Sequence, residues 1–218
     1  VAHYNEPLGW LRRVPPAYKL SVYDKGEAGD GIRLPNIGRE AHTYLTHITR
    51  NYHRLADITV FCQGRPFDHA SDFHRILREV VAGEKGGGLF EWFGFLVDTD
   101  DEFGRRLFVP WSKNPERRTL DIRGAYRELF GEPGPAEYTF VGGAQFSARR
   151  ELIWRRPLEF YERALELSGS FPDAAHCFER LWDQVFGVVG VDREWLAGRK
   201  TVYRKRDLKS GSVNTGCG

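Results

Sequence analysis

The order of secondary-structure signals predicts an α/β protein in which a mostly parallel sheet is flanked by helices. Two observations carry that expectation. Short β-branched or aromatic runs alternate with segments of helical periodicity, and strand, helix, strand, helix in that order favours parallel pairing with helical crossovers. In addition, 218 residues with 41% hydrophobic and 14% aromatic content are enough for one substantial core.

The elements follow in order. Val1-Ala2-His3-Tyr4 reads as the end of a first strand, followed by a turn at Asn5-Glu6-Pro7. Leu20 to Tyr23 reads as a second strand ended by Asp24-Lys25-Gly26, and the glycine-bearing loop from Glu27 to Leu34 is expected to be mobile. Ala41, Tyr44, Leu45, Ile48, Tyr52 and Leu55 recur at helical spacing and predict a helix of about four turns with one apolar face. Asp57 to Cys62 is a short buried strand by composition. Phe73, Ile76, Leu77, Val80 and Val81 then repeat the helical pattern behind Asp72, a candidate N-cap.

The middle of the chain is less regular. Gly86-Gly87-Gly88 precedes an aromatic cluster at Phe90, Trp92, Phe93 and Phe95, and Asp98 to Arg106 reads as a solvated polar loop. A strand at Tyr138–Val141 leads into Gly142-Gly143-Ala144-Gln145-Phe146. A helix is expected from about Ser147, restarted at Pro157 as a first-turn proline, and a last one carries Phe178, Leu181, Trp182, Val185 and Phe186. The domain is expected to span 1–198. The stretch 199–218, with Arg199, Lys200, Arg204, Lys205, Arg206 and Lys209, reads as a basic, partly flexible tail.

Charge and cysteines narrow the function classes. A net charge of +2 argues against a nucleic-acid partner, which calls for a much larger basic excess. Cys62, Cys177 and Cys217 are widely spaced and form no metal-binding pair, which points to a reducing, cytoplasmic setting. No run reaches the length of a membrane span. The chain starts at Val1, so an N-terminal targeting segment stays open.

Several motifs fit binding or catalysis. Asn36-x-Gly38-Arg39-Glu40 opens the first long helix, where free N–H groups and the helix dipole favour anions and Arg39 suits a phosphate or carboxylate. The same turn is explained equally by backbone geometry and an early-helix acid. Gln63-Gly64 follows a strand, with amide donors beside a close backbone approach. Asp68-His69 and Asp72-x-His74 suggest a metal, although Asp72 is already explained as a cap. Asp98-x-Asp100 has the spacing that holds a divalent ion against a diphosphate, but its polar run before the Gly104-Arg105-Arg106 turn favours a solvated loop. Glu179 shares a helix face with His176 and Asp183 and adjoins Arg180, so it reads either as a general base or as a surface ion pair.

Ala2-His3-Tyr4-Asn5-Glu6, Pro35 to Glu40, Val60 to His69, Gly143-Ala144-Gln145-Phe146 and Glu179-Arg180-Leu181-Trp182 together resemble an uncharacterised family catalogued as a domain of unknown function, over most of Val1 to Gly187. That family distantly resembles the GT-A class of glycosyltransferases, which have a Rossmann-like sheet. The Asn36-to-Glu40 turn is similar to the N-x-G-R-D turn of rhamnan-synthesis-type transferases. The resemblance implies transfer of a sugar from a nucleotide-sugar donor to an acceptor hydroxyl. It places His3, Asn5, Glu6, Lys25, Asn36, Gly38, Arg39, Glu40, Gln63, Gly64, Asp68 and His69 on the donor side. Gly143, Gln145, His176, Arg180 and Trp182 fall on the acceptor side, with Glu179 as catalytic base. Gln63-Gly64 stands where such enzymes carry metal-binding aspartates, so a metal-independent mechanism is implied, with Mn or Mg admitted only if Asp98-x-Asp100 is recruited. Two other classes stay open: a non-catalytic carbohydrate- or nucleotide-binding module with stacking rings at Trp92, Phe93 and Trp111, and a metal-dependent hydrolase built on Asp68, His69 and His74.

Overall fold

The computed structural model describes residues 1–27, 31–84, 88–106 and 119–204. Gly86, Gly87, Trp111, Lys205, Arg206, Lys209 and Cys217 lie outside the described residues. The chain folds as a mixed α/β structure. β1 (Ala2–His3), β2 (Tyr23–Asp24) and β3 (Ile32–Arg33) form a parallel sheet in the order β1-β2-β3. α1 (Arg39–Asn51) leads to β4 (Ile58–Phe61), α2 (Phe73–Ala82), β5 (Phe90–Trp92) and β6 (Leu96–Asp101). α3 (Ile122–Phe130), β7 (Glu137–Val141), β8 (Phe146–Arg149), α4 (Arg150–Ile153), α5 (Leu158–Ser170), α6 (Ala174–Phe186), α7 (Arg193–Leu196) and β9 (Thr201–Tyr203) complete it.

The expectation of one mostly parallel sheet is corrected. The described residues form three three-stranded sheets, and two of them, β4-β8-β5 and β7-β6-β9, are antiparallel. The cause is β8, which runs between β4 and β5 against both, at the place where a helix from Ser147 was expected. Ser147 pairs with Val60 on one side and Glu91 on the other, and helix resumes only at Arg150. A parallel bridge between Ala2 and Gln63, with the Ala2 N–H donating to the Cys62 carbonyl, sets β1 beside β4.

Five other expectations change. Asp98 to Asp101 is strand rather than solvated loop, because each carboxylate has protein donors: Thr201 and Arg106 on Asp98, Arg180 on Asp100, and the Phe103 N–H on Asp101. Trp92 and Phe93 are buried, not exposed. Thr201–Tyr203 belongs to the packed structure as the edge strand beside β6, with Lys200 paired to Glu137. Asp72 makes no side-chain cap; its carboxylate pairs with Arg75 at 2.6 Å. The loop after Gly26 is anchored at its far end by β3 and by Arg33, which binds Asp24 at 2.5 Å.

The core is built by stripes already visible in the sequence. Ala41, Tyr44, Leu45 and Ile48 of α1, and Phe178, Leu181, Trp182, Val185 and Phe186 of α6, are all buried. Phe146 of β8 is the hub. Its ring lies 5.0–5.7 Å from those of Trp182, Phe61, Phe90, Trp92, Tyr44 and Phe186. Edge and tilted aromatic contacts at such spacings add about 0.5–1.5 kcal/mol each to the area they bury. No helix among the described residues is long and apolar enough to cross a membrane.

Candidate functional site

Parallel strands end where the chain turns away from its sheet, and the groove outside their carboxyl ends collects polar groups from several turns. Here β1, β2 and β4 end around a cleft of about 630 Å³. His3, Tyr4 and Glu6 enter it after β1, Lys25 after β2, and Gln63 and His69 after β4. Asn36, Arg39 and Glu40 come from the start of α1; Gly143 comes from the β7–β8 connection and His176 and Glu179 from α6. Arg39, Gln63 and Glu179, far apart in the chain, therefore face one space.

The entry into α1 is tightly constrained. Gly38 has φ +58°, and a Cβ there would lie 2.3 Å from the Ser168 carbonyl of α5. Arg39 also has positive φ, 44°. The Lys25 ammonium donates to the carbonyls of Ile37 and Arg39 and so pins this turn from below. Burial pushes the Lys25 amine down to about 8, with Glu40 acting the other way. The Arg39 guanidinium stays at the mouth, donating to His176 Nε2 at 3.3 Å.

The opposite wall is held by hydrogen bonds and close packing. Glu179 Oε1 accepts the Gly143 N–H at 2.7 Å, and Oε2 accepts from Arg180 at 3.2 Å. Gly143 has φ +93°, and its missing side chain makes room for the His69 ring, 2.3 Å from where a Cβ would be. Arg180 is buried, donates to Asp100 at 3.0 Å and lies 4.4 Å over the Phe140 ring. His176 is pushed below its ordinary value by burial, with Arg39 and Arg180 acting the same way and Glu179 against. Glu40 is driven up to about 7, first by burial and then by the Glu179 charge, despite Arg39 and Lys25.

Other residues named from the sequence stand outside the cleft lining. Asn5 sits in the turn above, against Gly26; Gly38 and Gly64 shape backbone, the latter leaving room for the Glu6 carboxylate. Asp68 pairs with Arg65 at 3.1 Å on the outer surface. Gln145 is buried and donates to the Pro66 carbonyl, and Trp182 and Arg180 belong to the interior. Asp183, on the expected Glu179 face, is buried and accepts the Gln184 N–H, and burial raises its carboxyl to about 6. Asp68, His69 and His74 do not form a ligand set: His69 lines the cleft, whereas His74 faces the Trp10 carbonyl in a separate groove. No group of three or more His, Cys, Asp or Glu side chains gathers as a metal site among the described residues.

Asp24 escaped notice in the sequence, where it read only as a strand end. Its buried carboxylate accepts from His3 Nδ1 at 2.9 Å, the Gly26 N–H and Arg33. Burial alone would raise it, but those hydrogen bonds hold it below the ordinary carboxylate range. His3, with Nε2 against the Glu6 carbonyl, thereby fixes the cleft floor. A second cavity, about 360 Å³ and lined by Val60, Phe73, Leu77 and Tyr18, lies at the amino ends of the same strands and is mostly apolar.

No curated protein and no solved structure matches the chain. The motifs around Ala2–Glu6, Pro35–Glu40 and Val60–His69 fall inside a family match, while those at Gly143 and Glu179 lie beyond it. Residues 1–80 match the profile of a family of proteins of unknown function, DUF3431.

Proposed function

We propose that the protein transfers a sugar from a nucleotide-activated donor to an acceptor hydroxyl, in a cleft of the GT-A kind. The observation that carries this reading is the convergence of Arg39, Gln63 and Glu179 on one space beyond the carboxyl ends of β1, β2 and β4. Three of the four non-glycine residues with positive φ among those described support it: Arg39 lines the cleft, Ala144 follows Gly143, and Asp173 precedes the helix turn bearing His176. Strained backbone of this kind clusters at working sites.

Arg39 has guanidinium donors at the mouth and takes the diphosphate, where positive charge meets the developing charge of the leaving group. Gln63 supplies amide groups for the sugar or base. An acidic side chain of the cleft takes the acceptor proton, a role that the resemblance gives to Glu179. Asp98-x-Asp100 does not suit a divalent ion, since Thr201, Arg106 and Arg180 already occupy its oxygens. A module that stacks sugars on Trp92 and Phe93 is disfavoured because both rings are buried.

Thermal unfolding with UDP-, GDP-, CMP- and dTDP-sugars, with and without manganese, tests the reading. A donor at about 100-fold its dissociation constant stabilises by about 2.7 kcal/mol. We expect one nucleotide class to raise the melting temperature and Arg39→Ala to remove the shift. No shift with any of them overturns the assignment.

A further inference from the structure

We propose that Glu40 is the carboxyl that exchanges the acceptor proton, and that Glu179 beside it is held in place as a positioning group. The catalytic part of this inference rests on the transferase reading; the division of labour between the two acids does not.

The two carboxyls line one cleft but are held differently. Glu179 has a donor on each oxygen, the Gly143 N–H and Arg180, and Arg180 is itself fixed by Asp100 and the His176 carbonyl. A carboxylate in that cradle keeps its place, with an oxygen already committed to each donor. Glu40 sits in the first turn of α1, where Lys25 is directed to the Ile37 and Arg39 carbonyls. The charged and titratable groups acting on Glu40 are Glu179 from α6, Arg39 from its own helix, and Lys25 beyond β2; burial and Glu179 outweigh both cations. Of two acids in one cleft, the one whose proton affinity lies near neutrality is suited to handle the proton.

The step balances within the cleft. The acceptor O–H proton passes to the ionised Glu40 carboxylate as the acceptor oxygen bonds the anomeric carbon. The bond from that carbon to the diphosphate oxygen breaks, and its electron pair leaves with the nucleoside diphosphate near Arg39.

Carboxyl-carbon NMR titration of the full chain between pH 4 and 9 is the test. One glutamate signal is expected to titrate near 7, to vanish in Glu40→Gln, and to move toward the ordinary glutamate range in Glu179→Gln. If it titrates with the other glutamates, or survives in Glu40→Gln, the inference is overturned. Should Glu40→Gln fail to fold, the wild type compared with Glu179→Gln decides alone, since loss of the neighbouring charge must lower the Glu40 midpoint. With a donor that binds, Glu40→Gln is expected to lower kcat about 100-fold at unchanged donor affinity and to remove the acidic limb of the pH profile. Glu179→Gln is expected to shift that limb to lower pH; loss of the limb in Glu179→Gln instead reverses the assignment and overturns it. Failure of every nucleotide to bind sinks the transferase reading and leaves the titration to be judged on its own.

Discussion

Arg39 lines the mouth of the cleft and Arg180 lies buried behind its opposite wall, and the two have opposite physical characters. Arg180 is 1% exposed, has Asp100, Glu179 and the His176 carbonyl as acceptors, and packs flat on Phe140. Arg39 is exposed at the mouth, and among the described residues its guanidinium holds one long contact, to His176, and is otherwise open. The lesson is that charge alone does not mark a binding residue. A guanidinium with filled acceptors is architecture, and one with open donors at a cleft mouth is equipment for a ligand.

The largest effect should come from breaking the buried pair. Arg180→Met leaves Asp100 uncompensated in the interior and should cost about 3–5 kcal/mol, read by chemical denaturation. Asp100→Asn paired with Arg180→Met should recover part of that loss; no recovery would show that packing on Phe140, not the charge pair, dominates.

Gly38→Ala attacks the other wall through its backbone. Positive φ and a Cβ 2.3 Å from the Ser168 carbonyl should together cost about 1–3 kcal/mol and misplace Arg39, so nucleotide affinity should fall as well. A variant that loses stability and keeps its affinity would separate the turn from the ligand.

Acid should weaken the α1 wall in particular. Burial pushes both His42 and His47 down to about 4, so the folded chain keeps them neutral while the unfolded chain takes up protons from about 6.5. Stability from these histidines is therefore complete above about 6.5 and is lost as pH falls to 4. The melting temperature should drop across that window, and His47→Gln should reduce the drop. Glu40 has the opposite sign: its raised carboxyl makes the fold weaker as pH rises from about 4.5 to 7, a slope that Glu40→Gln should remove.

The smallest effect on stability should be Arg39→Ala, within about 0.5 kcal/mol because an exposed side chain with one long contact contributes little. Its effect on ligand binding should nonetheless exceed that of any other substitution at the mouth. Equal losses for Arg39→Ala and Arg39→Lys would point to bidentate recognition, which an ammonium cannot reproduce.

The parts of this picture that rest on local pattern were legible before folding. The α1 and α6 stripes announce themselves at helical spacing, and Arg39 and Gln63 stood out by residue type beside a turn and a strand end, whereas Glu179 was singled out only through the family resemblance. What stayed hidden depends on partners far along the chain. Asp98 and Asp100 read as loop because their alternation is polar, and only Thr201, Arg106 and Arg180 make a buried strand of it. Phe146-Ser147-Ala148-Arg149 is too short to show a period, and it becomes a strand because β4 and β5 flank it. Glu40 looked like an ordinary first-turn acid; its unusual setting comes first from burial by the folded chain and then from Glu179, many residues later.

α6 presents His176 and Glu179 to the cleft, while Cys177, Phe178, Arg180, Leu181 and Trp182, interleaved with them, are locked into the interior. That wall has no freedom of its own: a displacement of Glu179 drags the Trp182–Phe146 cluster with it. Heat should then abolish function and melt the hydrophobic interior at one temperature, with no milder stage in which a folded chain has a slack cleft.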